Sequence, residues 1–297
     1  MDSDALHTFL TVHRRGGISS AAKALHRSQP AISRRIALLE QELGVPLFER
    51  GAGRNMLSDA GRGPYAERAV AAVQDAENAV RALAQPNSGP VSLAVVGTLA
   101  GGRLSAILKR FAAEHPDVEL TLRTATSAEV SDLIRRGEAT IGLRYDRDRS
   151  RDLDCELLAA ERLQVVCALD HPRAGRSIAK LAELRAERWI AFPVVPGRRE
   201  ITASHVFALF QTHGLGEVEW TPVDSLTAQK RLVEAGLGIA LLSESNAAEE
   251  LRYGTISTIG VRDLKANHDI VTVTRRGGFL SGASRRLLEI VRSEYRG

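Results

Sequence analysis

The sequence predicts an α/β protein that begins with a small helical unit, continues through one long helix and ends in a larger section of strands and helices. Three observations support this prediction. Closely spaced apolar residues mark short helices near the N-terminus, an alanine-rich periodicity follows, and short β-type runs alternate with amphipathic helices from residue 91 onward. The chain has 297 residues, 44% of them hydrophobic, which is enough for two or three units with their own cores.

Composition argues against several classes of protein. The apolar runs VSLAVVGTLA and GIALL are much shorter than the roughly 18 residues of a membrane span, and the start MDSDALHTFL lacks signal-peptide order. We therefore expect no membrane partner and a cytoplasmic location. Cys155 and Cys167 lie in strand-like segments without metal or redox spacing, so we expect buried thiols, no metal and no cofactor. The formal charge of +4 permits a nucleic-acid partner without demonstrating one.

The stretch SQPAISRRIALLEQELG, residues 28–44, is predicted to be a helix with one apolar and one polar face. Its apolar residues are spaced four, three and four positions apart: Ile32, Ile36, Leu39 and Leu43. Ser28 can cap the start of this helix, Pro30 suits its first turn, and Gly44 can end it. The opposite face is small and polar.

A second short helix, ISSAAKALH, precedes this one after only a tight turn. We expect Ser19 to cap it and Ala21, Ala22 and Leu25 to face inward, since small side chains let two helices cross closely. The apolar residues of a further upstream helix, which closes the small core, are Leu6, Phe9 and Leu10. Two short helices joined in this way form a helix-turn-helix.

The polar face of the 28–44 helix suits the major groove of DNA, which is about 12 Å wide and admits one helix. Gln29, Ser33 and Arg34 can reach base edges from its N-terminal half. Arg35 lies at the edge of this polar face, where it would either contact a DNA phosphate or form an ion pair within the protein. The alternative is an ordinary surface helix whose arginines are only solvated.

Residues 9–61 resemble the N-terminal segment of the LysR-type transcriptional regulators. The shared landmarks are Ala21, Ala22, Leu25, Ser28, Gln29, Pro30, Ser33, Leu39, Glu40, Leu43, Gly44, Leu47, Phe48, Arg50 and Gly61. The resemblance implies a winged helix-turn-helix over 1–58, with LFERGAGRNMLS as the wing and an inverted-repeat operator in double-stranded DNA as partner. The candidate DNA-binding residues are therefore Ser28, Gln29, Pro30, Ser33, Arg34, Arg35, Arg50 and Arg54. Gly17 and Ser58 stand where the family commonly has serine and threonine.

The segment 59–85 is predicted to be a long helix with a heptad seam. The seam residues are Ala69, Val73, Ala76, Val80 and Leu83. The resemblance implies that this linker helix pairs with its twin in a homodimer or homotetramer; the alternative is packing within its own chain. Gly63 and Pro64 predict a kink in this helix or two helical pieces. Residues 86–90, PNSGP, are predicted to form a hinge after it.

Residues 91–297 alternate strands and helices, which indicates mostly parallel sheets. The predicted strands are VSLAVV, VELTLRT, TIGLRY, LQVVCAL, RWIAF, VEWTPV, GIALLS and DIVTVT. Here the resemblance implies an effector-binding domain like a periplasmic binding protein, with two subdomains joined by two crossover strands. Subdomain I would cover about 91–162 and 265–297, and subdomain II about 163–264.

The resemblance implies a regulator whose operator binding changes when a small-molecule effector binds between the subdomains. We expect the effector to close the cleft between them and so change the geometry of the assembly. RNA polymerase is a further candidate partner. The rival classes are a solute-binding receptor and an enzyme on an α/β fold. Neither would need the first 60 residues, and the sequence contains no GxSxG, no HExxH and no catalytic cysteine beside a histidine. We therefore expect no catalytic residues.

Effectors of such folds bind beyond the C-terminal ends of strands, where helices begin. Three segments meet this description: 98–101, 126–127 and 224–226. Arg144 would add a cation, and Phe192, Val194 and Val195 would form an apolar wall. The candidate effector-binding residues are therefore Thr98, Leu99, Ala100, Gly101, Thr126, Ser127, Arg144, Phe192, Val194, Val195, Asp224, Ser225 and Leu226. Free N–H groups, hydroxyls and Arg144 would suit an anionic, partly apolar molecule such as a carboxylate. Alternatively, Arg144 pairs with Asp146 or another neighbouring acid.

Overall fold

The computed structural model describes residues 3–15, 17–44, 46–50, 55–57, 71, 75, 79, 91–193, 201–216 and 218–296. It confirms the predicted fold class, with a helical N-terminal unit followed by α/β layers built on a mixed sheet. Within these residues, no helix combines the length and apolar character that a bilayer crossing requires.

The N-terminal unit contains three helices and a hairpin. The elements are α1 (Ser3–Arg14), α2 (Ile18–Ala24), α3 (Gln29–Leu43), β1 (Phe48–Arg50) and β2 (Asn55–Leu57). The two strands pair antiparallel, which confirms the predicted wing hairpin. Apolar residues of α1, α2 and α3 form one small core beneath the wing.

Helix α3 begins and ends as the sequence predicts. The Ser28 hydroxyl accepts a hydrogen bond from the Ala31 N–H at 3.4 Å, and Gly44 ends the helix in the left-handed conformation with φ 71°. Ile32, Ile36 and Leu39 are buried as predicted. The prediction for Leu43 is wrong: its side chain is 41% exposed, because the last residue of the helix lies beyond the core.

The cap position of helix α2 lies two residues earlier than predicted. Gly17 precedes its first residue, so Ser19 lies inside the first turn and caps nothing. The inward alanines are confirmed, since Ala21 and Ala22 are buried where α2 crosses α3. Small side chains at the crossing therefore permit the tight helix-turn-helix.

Residues 71, 75 and 79 are helical and lie four positions apart, as in successive turns of one helix. The predicted seam and kink residues lie outside the described part of the chain: Ala69, Val73, Ala76, Val80, Leu83, Gly63 and Pro64. The predicted hinge 86–90 also lies outside it.

The first α/β core surrounds a parallel set of strands. Its strands and helices are β3 (Val91–Val96), α4 (Gly102–Glu114), β4 (Leu120–Ala125), α5 (Ser127–Arg135), β5 (Ile141–Tyr145) and α9 (Gly282–Arg296). Strand β3 pairs parallel with both β4 and β5, and β12 (Asn267–Arg275) adds antiparallel to β5. Apolar side chains of these elements form one core cluster.

The second α/β core repeats this arrangement. Its elements are β7 (Ser177–Ile178), β8 (Arg188–Ala191), α6 (Ile201–Thr212), β9 (Glu219–Pro222), α7 (Leu226–Glu234), β10 (Ile239–Ser243), α8 (Glu244–Tyr253) and β11 (Ile256–Val261). Strand β8 pairs parallel with β9 and β10. Trp189 and Phe210 meet edge to face in its core, with ring centroids 4.5 Å apart.

A single long strand, β6 (Leu153–Ala168), passes through both cores. Its residues up to Arg162 pair with β12, and from Leu163 onward they pair with β10 and β11. The chain returns to the first core through residues 262–266, between β11 and β12. Two connections therefore join the cores, and the polar cleft described below lies between them.

Candidate functional sites

The exposed face of α3 carries side chains that are not engaged within the protein. Gln29, Ser33 and Arg34 are exposed, and in the described ranges none of the three side chains has a hydrogen-bond or ion-pair partner. Pro30 is also exposed, and Ser28 is occupied in capping the helix. Donors and acceptors on this face are therefore available to a partner molecule.

Arg35 is held differently from its neighbour Arg34. Its guanidinium forms an ion pair with the Asp4 carboxylate of α1, and Arg27 lies 3.3 Å from the same carboxylate. Of the two roles left open by the sequence, the structure shows the ion pair, which ties α3 to α1. Arg50 lies in β1 with its side chain outside the described part, and Arg54 lies outside it entirely.

Glu40 anchors the wing to α3, which sequence reasoning did not predict. Its Oε1 atom accepts hydrogen bonds from the N–H groups of Leu47 at 2.7 Å and Phe48 at 3.1 Å. The Phe48 ring also lies 5.4 Å from that of Phe9 in α1. The start of the wing is therefore fixed relative to α3. The spacing of residue types along the sequence does not by itself predict these contacts between α3 and the wing.

The cleft between the two α/β cores is nearly closed. Its cavity has a volume of about 30 Å³, which is room for a water molecule or two. Small-molecule sites usually need about 300 Å³ or more. The polar residues that line the cavity come from both cores and are Thr98, Tyr145, Gln229, Ser243, Asn246 and His268.

Several of these polar groups are buried with their hydrogen-bonding capacity incompletely used. The Thr98 hydroxyl donates to the Tyr145 hydroxyl at 3.2 Å, and burial raises the pKa of Tyr145. His268 is 3% exposed, and burial followed by the nearby His205 lowers its pKa to about 4. The Nε2 atom of His268 and the Ser243 hydroxyl have no hydrogen-bond partner among the described residues. Such groups favour a polar ligand.

His205 joins the two cores across the cleft. Its Nδ1 atom lies 3.8 Å from the Asp146 carboxylate, and its ring centroid is 4.7 Å from that of His268. Burial acts to raise the pKa of Asp146, but the adjacent His205 helps to lower it below its ordinary value. Asp146 has φ +55°, a strained conformation for a residue other than glycine. These contacts join the two cores beside the cleft.

The structure brings three of the predicted effector-binding residues to this cavity: Thr98, Phe192 and Leu226. The other predicted residues that it describes lie outside the lining: Leu99, Ala100, Gly101, Thr126, Ser127, Arg144, Asp224 and Ser225. Thr126 and Ser225 accept hydrogen bonds from backbone N–H groups and cap α5 and α7. Val194 and Val195 lie outside the described residues.

Arg144 does not fit its predicted role as a cation in the cleft. Its side chain is 2% exposed and its Nη1 atom lies 2.5 Å from the Ser131 hydroxyl and 3.2 Å from the Asp148 carboxylate. Successive residues of a strand point to opposite faces, so Tyr145 reaches the cavity and Arg144 turns away. The structure therefore shows the alternative, an ion pair with a neighbouring acid.

Residues 71 and 75 of the linker segment contact the end of β12 and the residues that follow it. The Arg275 Nη2 atom lies 2.5 Å from the Asp75 carboxylate and donates to the Ala71 carbonyl at 3.3 Å. The Phe279 N–H donates to the same Asp75 carboxylate at 2.9 Å. Arg275 ends the strand in which His268 stands near the start. One strand therefore reaches from the cleft to the linker segment.

A helix-turn-helix with an open polar face, joined to two α/β cores around a polar cleft, defines a DNA-binding regulator with a separate ligand-binding domain. Comparisons with known proteins agree. Residues 3–62 match the family described as bacterial regulatory helix-turn-helix protein, lysR family, and residues 84–296 match the LysR substrate binding domain. The chain belongs to the LysR family of DNA-binding transcriptional regulators, which confirms the resemblance seen in the sequence.

Individual relatives cover most of the chain. The transcriptional dual regulator GltC of Bacillus subtilis (strain 168) is 31% identical over 84% of this chain and 83% of its own length. The regulator CfxR of Cupriavidus necator is 29% identical over 86% of this chain and 80% of its own length. Full-length CbnR in complex with its target DNA is 27% identical, covers 99% of this chain and 100% of its own, and has a TM-score of 0.58. These relatives support neither of the rival classes.

Proposed function

We propose that this regulator binds an inverted-repeat operator through α3 and the wing, and that a small molecule bound in the cleft changes its affinity for that operator. Gln29, Ser33 and Arg34 would contact base edges, since they are exposed and uncommitted within the described part of the chain. The protein would act in the cytoplasm, where the DNA of a bacterial cell lies, and would not be an enzyme.

The observation that carries this proposal is the closed cavity with polar groups from both cores. A ligand of metabolite size does not fit in about 30 Å³, so its binding would require the cores to move apart, rather than to close as the sequence led us to expect. A ligand that binds only the open form shifts the population toward it. His205 would then separate from Asp146, because the two lie on opposite sides of the cleft.

The lining favours a small polar effector. It offers the hydroxyls of Thr98, Tyr145 and Ser243 and the imidazole of His268, together with backbone N–H groups where α7 begins at Leu226. No arginine or lysine lines the cavity within the described residues. A carboxylate would therefore be bound by hydroxyl and N–H donors, as at other helix starts.

Strand β12 offers a physical connection from the cleft to the linker segment. From His268 to Arg275 it spans roughly 23 Å, at about 3.3 Å per residue. A displacement of β12 at the cleft would alter the contact of Arg275 with Asp75. In a homodimer or homotetramer held by the linker helices, such a change would alter the spacing of the DNA-binding units, and RNA polymerase would respond to the altered complex.

Selection from a pool of random duplexes tests the DNA-binding half of this proposal. The full-length protein should enrich one inverted repeat, and Arg34→Ala should enrich it much less. A pool without any enriched sequence after several rounds would contradict specific operator recognition.

A thermal-shift screen of small carboxylates and aromatic metabolites tests the effector half. A compound that raises the melting temperature of the full-length protein should lose most of that effect in Thr98→Val and Tyr145→Phe. Thr121→Val, which removes an exposed hydroxyl of β4 outside the cleft lining, is the matched control. Full stabilisation of both cleft variants would place the compound elsewhere.

A further inference from the structure

A second depression lies at the junction of the two cores, away from the cleft lining. Its volume is about 410 Å³, which is within the range of small-molecule sites. Its polar lining residues are Arg162, Ser177, Arg262, Lys265 and Asn267. Arg162 stands where β6 changes partners, and the other end of the depression belongs to the return connection 262–266 and the start of β12.

Three positive charges converge on this depression. Arg162, Arg262 and Lys265 are exposed, and none of them forms an ion pair with a residue that the structure describes. Three cations gathered in one concavity repel one another unless an anion lies between them. Their guanidinium and ammonium donors are therefore free for an external ligand.

Two acids of neighbouring segments, Asp263 and Glu183, accept hydrogen bonds from backbone groups. Asp263 accepts a hydrogen bond from the Leu181 N–H at 2.8 Å. Glu183 accepts from the N–H groups of Ala179 and Lys180, both at 2.9 Å, and it pairs with Arg173 at 3.7 Å. These hydrogen bonds, with Arg262 as a weaker cause, lower the pKa of Glu183. Among the described residues, the lining itself carries three cations and no carboxylate, so it is positively charged.

Two small residues, Gly260 and Ser177, belong to the lining of the depression. Gly260 pairs with Ser177 between β11 and β7, and a Cβ atom on Gly260 would lie only 2.6 Å from the Ser177 hydroxyl oxygen. Glycine therefore leaves space for this hydroxyl. The Ser177 hydroxyl and the Asn267 amide add neutral donors beside the three cations.

We propose that this depression binds a small polyvalent oxyanion of the phosphate or pyrophosphate class, at a site separate from the effector cleft. Arginine binds such oxygens in bidentate fashion, and lysine adds a point charge. The two connections between the cores already meet here, since the Leu163 N–H donates to the Ala266 carbonyl at 2.9 Å. A bound oxyanion would bridge Arg162 on one connection and Arg262 on the other.

Titration calorimetry of the full-length protein with sodium pyrophosphate, at an ionic strength fixed with sodium chloride, tests this site. We expect saturable binding that Arg162→Gln and Arg262→Gln each weaken about threefold to tenfold. Asn267→Asp, which places a carboxylate in the depression, should weaken it at least as much. Arg176→Gln removes an exposed charge outside the lining and should leave the Kd within about twofold.

Four outcomes would overturn the proposal. The first is that pyrophosphate fails to bind saturably. The second is that all variants, including Arg176→Gln, weaken pyrophosphate binding equally, which would indicate non-specific electrostatic attraction. Alternatively, the pocket variants bind it as tightly as the parent, which places the anion at the helix-turn-helix or elsewhere. Finally, the pocket variants lose affinity for random duplex DNA while pyrophosphate fails to bind, which makes this surface a DNA contact. Circular dichroism and melting temperature establish that each variant is folded.

Discussion

The DNA-facing helix and the effector cleft use their polar side chains in opposite ways. On α3, Gln29, Ser33 and Arg34 lie in solvent and are uncommitted within the described part of the protein. In the cleft, Tyr145 and His268 are buried and the surrounding cores leave a cavity of only about 30 Å³. In the proposed function, α3 would bind DNA as it stands, whereas the cleft would first have to open to admit an effector.

This difference has an energetic consequence. A preformed surface binds with little reorganisation, so substitutions on it should change affinity without changing folding. A closed site reduces the apparent affinity of its ligand by the fraction of molecules that are open. Substitutions in the cleft should therefore change both the stability of the closed form and the affinity for an effector. The following predictions test this contrast, from the largest effect to the smallest.

Ala21→Leu should destabilise the helix-turn-helix and so weaken the proposed DNA-binding surface most. Ala21 is completely buried where α2 crosses α3, and overpacking of a tight core typically costs about 1 to 3 kcal/mol and sometimes more. Ala24→Leu, an exposed alanine of the same helix, is the matched control. Calorimetric melting and operator binding measure both variants. Normal operator binding by Ala21→Leu would show that the helices do not cross as closely as described.

The cleft should lose stability in acid because of His268. Its pKa is lowered from 6.5 to about 4, first by burial and then by His205, so the unfolded chain takes up the proton more readily. The free energy of unfolding should therefore fall as pH drops from about 6.5 to 4, by about 3 kcal/mol in total. Melting temperatures of His268→Gln across this range should depend less on pH than those of the parent.

His115→Gln provides the control for this pH series, because His115 stacks on Phe111 away from the cleft. It should keep the pH dependence of the parent. Equal slopes for the parent and His268→Gln would mean that His268 is not buried in solution.

Arg34→Ala should weaken operator binding by about 1 to 3 kcal/mol, the usual value of a bidentate contact to a base. Binding to random DNA should change much less, and the melting temperature should stay that of the parent, since Arg34 is exposed. Titrations on both DNAs decide this. Equal losses on the two sequences would make Arg34 a phosphate contact.

Asp75→Asn should have the smallest effect, confined to communication between the two regions. It weakens the contact with Arg275 and Phe279 without touching the cleft or α3. Its operator affinity without effector should remain near that of the parent, while the effector-induced change should shrink by about 0.5 to 2 kcal/mol. Asp154→Asn, which affects the exposed ion pair with Arg276, is the matched control.

The sequence predicted local features better than distant ones. Ser28 and Gly44 bound α3 correctly because capping depends on the chain immediately around them. Strands β7 and β11 and the first part of β6 were not among the predicted strands. Charged residues interrupt LDCELLAAER in β6, and β7 has only two residues. Their pairing depends on partners far along the chain.

In the cleft, too, the sequence predicted local features but not contacts between distant parts of the chain. Thr98, Phe192 and Leu226 were found because strand ends and helix starts can be located in the sequence. The choice between Arg144 and Tyr145 depends on which face of β5 meets the cleft, and sequence alternation alone does not determine this. His205 and His268 belong to different cores, so only the assembled fold brings them together.

The most direct test of the account is a pair of titrations with an effector found by the thermal-shift screen. Operator affinity is measured with and without saturating effector, and effector affinity with and without operator. We expect both affinities to change by the same factor, about 5-fold to 150-fold, because coupling between two sites is reciprocal. Operator affinity that stays constant at saturating effector would contradict the claim that the cleft controls the DNA-binding face.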